Sequence, residues 1–465
     1  MSSSVRTAPL RHVQRRTLTL LSLAQIFSGI GTGAVVSTGS LLAVELSGSE
    51  AWAGSVTTTM TLGAAVASAA LMRVALDRGR RIALSTGLLV GALGAAGVVL
   101  AAVTGLFWIL VLSGALIGFG NAVNLQTRFA ATDLSEQAHR GRDLSLVVWM
   151  STVGAVAGPN LIGLGEGIAD VLTIPALSGL FVISTAGMIA GMLIIWIGLR
   201  PDPYLLLTGR ETLDPAGAGE AGEAGKAGEG TGPADPAARS SAAAVATAAA
   251  DSAPAPNSGG AAKTAPEQPT TKGIAAGIRA LWTHPGSRAG LVGIVVAHAV
   301  MVAVMSMTPV HLSGHGASVT IIGVTVSLHI AGMYVFAPVM GMLADRIGGS
   351  LLSSAGLMTL VAASLLAGFS GHTHWVTVIG LILLGLGWSA VTISGSKMIV
   401  DATPVAERVA AQGASDTLMN LAGAVGGVLA GVLLATITYV GLGVVSALIA
   451  LAALPVLLRS AKRPA

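Results

Sequence analysis

Predominantly apolar runs of roughly twenty residues recur twelve times along this chain, and a run of that length crosses a bilayer as a helix. They lie near 18–46, 51–72, 82–103, 107–129, 143–167, 174–199, 287–310, 318–343, 350–370, 375–399, 411–436 and 439–459. In lipid every backbone N–H and C=O must be satisfied within the protein, so runs of this kind predict helices. Length alone would admit two or three soluble domains. Composition removes that reading: 53 % of the 465 residues are apolar and 10 % charged, with mean hydropathy +0.79. Gly and Ala are abundant inside the runs, as helix faces need when no hydrophobic drive exists between them and close packing must hold them together. The fold class expected is an all-α integral membrane protein.

A pI near 9.8 suggests nucleic acid, but the placement of the basic residues argues against that partner. With twelve spans, every Lys and Arg falls on one side. Arg6, Arg11, Arg15 and Arg16 precede span 1; Arg73, Arg78, Arg80 and Arg81 flank the 2–3 loop; Arg128, Arg140 and Arg142 flank the 4–5 loop. Arg346, Lys397, Arg408 and Arg459 continue the series in the second half. The opposite loops carry Glu45, Glu50, Glu166, Asp170, His311, His315, His372 and His374. Short basic loops stay cytoplasmic, which predicts a multi-pass protein of the cell membrane with both termini inside. The first run is too long for a cleaved signal sequence and is read as a retained helix. With no cysteine in the chain, thiol chemistry and thiolate metal sites are excluded.

The chain also repeats itself. Asp77-Arg78 and Asp345-Arg346 stand 268 residues apart, after the second and eighth runs. Trp108 matches Trp375, Gly118 and Gly120 match Gly385 and Gly387, and Gly154 and Gly158 match Gly423 and Gly427. Two tandem six-helix units facing each other enclose a cleft at mid-membrane depth. The predicted layout is a cytoplasmic tail (1–17), a first bundle (18–200), a disordered linker (201–272), an interfacial helix (273–286), a second bundle (287–459) and a tail (460–465). The linker prediction rests on a stretch of Ala, Gly, Pro, Glu, Ser and Thr with hardly a large apolar residue after Leu213. Ile274, Ile278, Leu281 and Trp282 recur at helical spacing just before span 7.

Gly341-Met342-Leu343-Ala344-Asp345-Arg346-Ile347-Gly348 resembles the loop signature of the major facilitator superfamily, and the resemblance covers the whole chain. It implies twelve spans in two pseudo-symmetric bundles, with helices 1, 4, 7 and 10 lining the cleft. It also implies that the Asp accepts hydrogen bonds at a neighbouring helix N-terminus while the Arg residues clamp that side, as helix dipoles favour. The first-half version, Arg73 to Arg81 with Asp77, Arg78, Arg80 and Arg81, has Arg73 in place of the leading Gly. It is also one residue shorter before Gly79, which predicts an altered turn. Topogenic charge is the competing reading of both loops. Gly154-x-x-x-Gly158-Pro159 in span 5 resembles the family's antiporter motif, with Ile162 where a Gly is usual. Two glycines four apart admit a neighbouring backbone, and Pro159 permits a bend. A plain packing groove is the alternative.

Ionisable residues inside spans are costly and mark function or a satisfied interhelical bond. His298 and His329, at similar depth on the 7–8 hairpin, are candidates for proton or substrate binding. Asp416, Glu45 and Arg128 lie nearer span ends, where gating or topogenic roles suffice. Asn121, Asn124 and Gln126 on span 4, with Ser28 and Thr32 on span 1, are candidate substrate contacts, and Met301, Met305 and Met307 would give a pliable wall. Trp388 is read as core packing or a cleft wall. So few fixed charges suit a neutral, amphipathic or weakly cationic small-molecule substrate.

No phosphate-binding G-x-x-x-x-G-K-[ST], metal-ligand spacing or G-x-S-x-G elbow occurs, so no cofactor, metal or enzymatic role is expected. The expected function is secondary transport by a monomer, driven by the proton gradient and directed to efflux. Uptake of a metabolite or vitamin is the alternative, and a transporter-like sensor or lipid-handling protein the third.

Overall fold

The computed structural model describes residues 4–34, 38–49, 52, 55–211 and 273–461. Its helices are α1 (Ser4–Ala34), α2 (Ser40–Ser47), α3 (Ser55–Thr104), α4 (Phe107–Ala130), α5 (Arg140–Asn160), α6 (Ile162–Leu172), α7 (Gly179–Gly198) and α8 (Pro203–Leu207). The second half holds α9 (Ile274–Thr283), α10 (Pro285–Gly314), α11 (Val319–Tyr334), α12 (Ala337–Ile347), α13 (Gly349–Gly368), α14 (His374–Ala402) and α15 (Val405–Ala461). Eight helical stretches are long and apolar enough to cross a membrane. Two of these are folded in two: α3 breaks at Gly79 (φ 88°, ψ 174°), and α15 at Ile437 and Thr438. Adding α1–α2 and α5–α6 gives twelve spans among the described residues, six on either side of the linker.

Two of the breaks inside spans fall where the sequence withholds a backbone donor. Span 5 bends between α5 and α6, just after Pro159. Span 8 divides between α11 and α12, with Pro338 in the first turn of α12. The missing residue before Gly79 does not change the turn glycine. Gly79 at φ 88° and Gly348 at φ 89° share the left-handed region that a side chain rarely adopts.

Glycines bring the spans together in the same register in both halves. A Cβ on Gly118 of α4 would press on the backbone of Met60 and Ala64 in α3. One on Gly385 of α14 would press on His329 and Met333 in α11, the residues 269 positions further on. Between these contacts lie apolar cores: Leu110, Phe181 and Met188 in the first half, and Leu357, Leu381, Trp388 and Leu442 in the second. Outward-facing residues such as Val171, Trp108 and Trp375 are strongly exposed, as a surface solvated by acyl chains permits.

Two predicted boundaries shift. Residues 4–17 continue helix α1 instead of forming a separate tail, because Gln14 and Thr17 are buried. Gln14 Nε2 donates to the Ala131 carbonyl (2.7 Å) and to Asp143 Oδ2 (3.0 Å). Residues 201–211 are also ordered, since Asp202 caps α8 by accepting from Tyr204 N (2.9 Å) and Leu205 N (3.2 Å). The rest of the linker, 212–272, lies outside the described residues.

Candidate functional site

Polar contacts between the two halves gather at the end of the molecule that carries the basic loops. Asp345, at the end of α12, accepts from the backbone N–H groups of Gly141 and Arg142, both at 2.9 Å. These donors belong to the first turn of α5, where N–H groups have no intrahelical acceptor and a carboxylate is favoured. Gly341, one turn earlier, lies so close to α5 that any Cβ would collide with the Gly141 carbonyl and the Ser145 hydroxyl. Arg140 reaches across to Asp401 at 2.7 Å, and Lys397 bonds the same carboxylate at 2.5 Å while standing 3.8 Å from Asp345. Arg346 is exposed and forms none of these bonds.

The first-half loop binds differently. Arg80, buried, holds Asp133 through two bonds (2.8 and 3.2 Å) and donates to Gln412 on α15, so one guanidinium joins both halves. Burial pushes the Asp133 carboxyl up from its ordinary value, and the charges of Arg80 and Arg408 work against that rise. The N-terminus of the helix after Gly79 is met by Asp202, which accepts from Arg81 N at 2.8 Å. A Cβ on Gly79 would run into that same carboxylate. Arg210 donates to the carbonyls of Leu76 and Asp77, both at 2.7 Å. Arg81 also lies over the Trp196 ring, 5.3 Å from its centroid. Arg78 is exposed.

Deeper in the molecule a second layer joins the halves. Arg128 on α4 meets Asp416 on α15 at 2.6 Å, with side-chain exposures of 2 % and 0 %. The sequence reading assigned both to span ends; the structure buries them against each other. Among the described residues, Asp416 Oδ2 and Arg128 Nε have no hydrogen-bond partner. Arg128, but not Asp416, borders a cavity of about 60 Å³. Gln25, Asn121, Asn124 and Ser151 line it from the first half, and Tyr334, Trp388, Ser389 and Thr392 from the second. Ser28 donates to Asn124 Oδ1 (2.6 Å), and Gln25 Nε2 to Ser151 Oγ (2.7 Å), so the amides are held in place rather than free to rotate. Gln126, by contrast, points into the bundle and donates to the Ser68 carbonyl at 3.2 Å.

His298 and His329 do not meet. Trp388 Nε1 donates to His298 Nδ1 (3.1 Å), and the His329 Nδ1–H donates to the Leu381 carbonyl (2.8 Å). Trp388, only 3 % exposed, is at once core and cavity wall. The side chains of Thr32, Gly154, Gly158 and Pro159 lie outside the described ones, so the antiporter-like motif has no contacts to report.

Asp133, Asp202, Asp401, Gln25 and Gln412 escaped the sequence reading. For two of them a signal existed: Asp133 and Arg140 recur as Asp401 and Arg408, each 268 residues on. Arg140 pairs with Asp401 across the halves, and Arg408 stands close enough to act on the Asp133 charge. The repeat therefore sets one ion pair across the halves and, at the equivalent position, a favourable charge interaction without direct contact.

Comparison with known proteins agrees with this architecture. The Major Facilitator Superfamily profile matches residues 21–316 and 290–465. Two uncharacterized MFS-type transporters of Bacillus subtilis (strain 168), YdeG and YddS, are each 33 % identical, over 97 % and 96 % of this chain and 94 % and 90 % of their own. The riboflavin transporter RfnT of Brucella anthropi is 26 % identical over 87 % of this chain and 85 % of its own. Among solved structures, the human organic anion transporter MFSD10 superposes with a TM-score of 0.69 at 14 % identity, covering 96 % of this chain and 99 % of that one. The proton:xylose symporter XylE does so at 0.68 and 14 %, covering 97 % and 96 %. The chain belongs to the major facilitator superfamily, as a multi-pass membrane transporter of small solutes and not an enzyme.

Proposed function

We propose that this protein exports a small organic solute in exchange for protons, with the Arg128–Asp416 pair as the coupling element. The observation that carries the reading is a buried ion pair linking the two halves, its Arg128 at the edge of the central cavity and its Asp416 Oδ2 free of hydrogen bonds among the described residues. A proton arriving on Asp416 abolishes the charge–charge attraction and leaves Arg128 buried beside a neutral partner. Breaking a buried pair costs about 3–5 kcal/mol, enough to shift a two-state equilibrium by more than a hundredfold. The halves then part at the basic end, water reaches Arg128, and the proton leaves on that side. We place the basic end in the cytoplasm by the positive-inside rule, and take a monomer in the cell membrane as the working unit.

The histidines suit this role less well. Indole N–H only donates, so protonating His298 at Nδ1 would break its bond from Trp388. A charge on His329, wholly buried with Nε2 unpartnered, would have nothing to compensate it.

The present cavity is far below the roughly 300–1,000 Å³ of an organic ligand site, so the solute enters a state in which the halves stand further apart. Amides from Gln25, Asn121 and Asn124 facing the rings of Trp388 and Tyr334 suit a neutral, amphipathic or weakly cationic molecule. Similarity to a riboflavin transporter favours a second reading, uptake of a flavin-like vitamin through the same cavity. Proteoliposomes with an imposed pH gradient, tested against a solute panel that includes flavins, separate the two. Counterflow of solute against inward protons supports export. Movement of solute with protons supports uptake, and movement insensitive to the gradient contradicts coupling.

A further inference from the structure

We infer that the second half carries a binding site for an anionic phospholipid, built where the start of α10 and the end of α15 meet the Trp282 side chain of α9. A cavity of about 680 Å³ opens there, bordered by Trp282, Arg288, Val292, Val456, Arg459 and Ser460. Its volume is an order of magnitude larger than that of the central cavity, and it lies on the outer surface of the bundle. Among the described residues no carboxylate lines it. Among the described residues neither Arg288 nor Arg459 has an ion-pair partner, and the nearby Glu407 is engaged with His284 at 3.4 Å. Two free guanidinium groups on one cradle present the forked donors that phosphate oxygens accept.

The second observation is an apolar trough leading away from the cradle. Leu451, Leu454, Pro455 and Leu458, with Arg459 at the shared rim, enclose about 300 Å³ along α15. Leu451 and Leu458 are exposed on that surface. Pro455 lies within the helix and carries no N–H, which removes one bond of the ladder beside the trough. Trp282, 57 % exposed at the rim, has the amphipathic ring that settles at headgroup depth. Two cations, an interfacial indole and an apolar groove that shares Arg459 with the cradle match one molecule, a phospholipid whose phosphate lies between Arg288 and Arg459. A soluble phosphate would use the cradle and leave the trough unfilled. Such a lipid would also tie α9, the helix that follows the linker, to the first turn of α10 and the last turn of α15.

The test uses the full chain, purified in neutral detergent and titrated with phosphatidylglycerol or phosphatidylcholine while bound lipid is counted by native mass spectrometry. Each cation near an anionic headgroup favours binding about fivefold, so Arg288→Gln/Arg459→Gln should weaken phosphatidylglycerol retention by about thirtyfold. An equal loss of charge elsewhere, Arg16→Gln/Arg73→Gln, should leave retention within about twofold. Leu454→Trp, which fills the trough and keeps both cations, should also lower retention. Inorganic phosphate at millimolar concentration should not displace the lipid. Equal weakening in both Arg variants, no preference for phosphatidylglycerol over phosphatidylcholine, or displacement by phosphate alone would each overturn the assignment. Thermal unfolding of every variant without added lipid identifies those that have lost the fold, and Arg288→Lys, which keeps the charge, should recover most of the binding.

Discussion

Replacing Asp416 by Asn keeps the side chain's shape, removes its charge and leaves Arg128 buried beside a neutral partner. The expected loss of stability is about 3 kcal/mol, read as a lowered unfolding temperature in detergent. Replacing both partners, Arg128→Met with Asp416→Leu, should recover most of that stability, because no charge is then stranded. Transport driven by a pH gradient should fall at least tenfold in both variants and not return in the double one. Gradient-driven flux in the Asp416→Asn protein close to the native value would remove this pair from coupling. His329→Gln serves as the contrast. With its Nδ1–H spent on the Leu381 carbonyl, His329 acts as a packing residue, so the variant should keep the native pH profile of transport. A shifted profile would bring the histidine back into the proton path.

Between helices, the repeated glycines set how closely spans approach. Gly118→Val and Gly385→Val each place a side chain where a neighbouring backbone already lies, and each should cost about 1–3 kcal/mol by thermal unfolding. Similar losses at the two sites would follow from their matching register; a silent substitution at either would show that the contact there relaxes freely. Asp345→Asn weakens two bonds to the α5 N-terminus, each charge-assisted in the native protein. Cysteines introduced at the basic end of the cavity should then react faster with a water-soluble maleimide, and unchanged rates would reduce Asp345 to a topological signal. At this scale the sequence was an open book for Asp345, because a Gly-to-Asp signature repeats and a helix N-terminus needs an acceptor. It was closed for Asp202 and Gln25. Asp202 sits in a segment whose composition reads as linker, and nothing local tells that it meets Arg81 N more than a hundred residues away. The burial of Asp416 was equally hidden, since depth in a span depends on where the lipid boundary falls and hydropathy blurs that boundary by a turn.

For the whole molecule, the tandem repeat dictates more than the fold. Arg140 of the first half pairs with Asp401 of the second, and Arg408, the counterpart of Arg140, acts through its charge on Asp133, the counterpart of Asp401. The same loop chemistry therefore serves each bundle against the other. All of these contacts lie at the basic end, and Arg80–Gln412 and Arg128–Asp416 add two more ties between halves. No solute reaches the central cavity from that end while they hold. On the proposed mechanism their combined strength is modest enough to break in each cycle, and a single proton on the buried Arg128–Asp416 pair has leverage over the remainder.

On the proposed mechanism, neutralising Asp416 lets the halves part at the basic end. The chain has no native cysteine, so spin labels on cysteines placed at His139 and Ile347, exposed residues of opposite halves, report their separation by double electron–electron resonance. A second, longer distance should appear as pH falls in the native protein. The same distance should dominate at every pH in the Asp416→Asn background. A single distance, identical in both proteins across the pH range while the native protein still transports, would contradict the account.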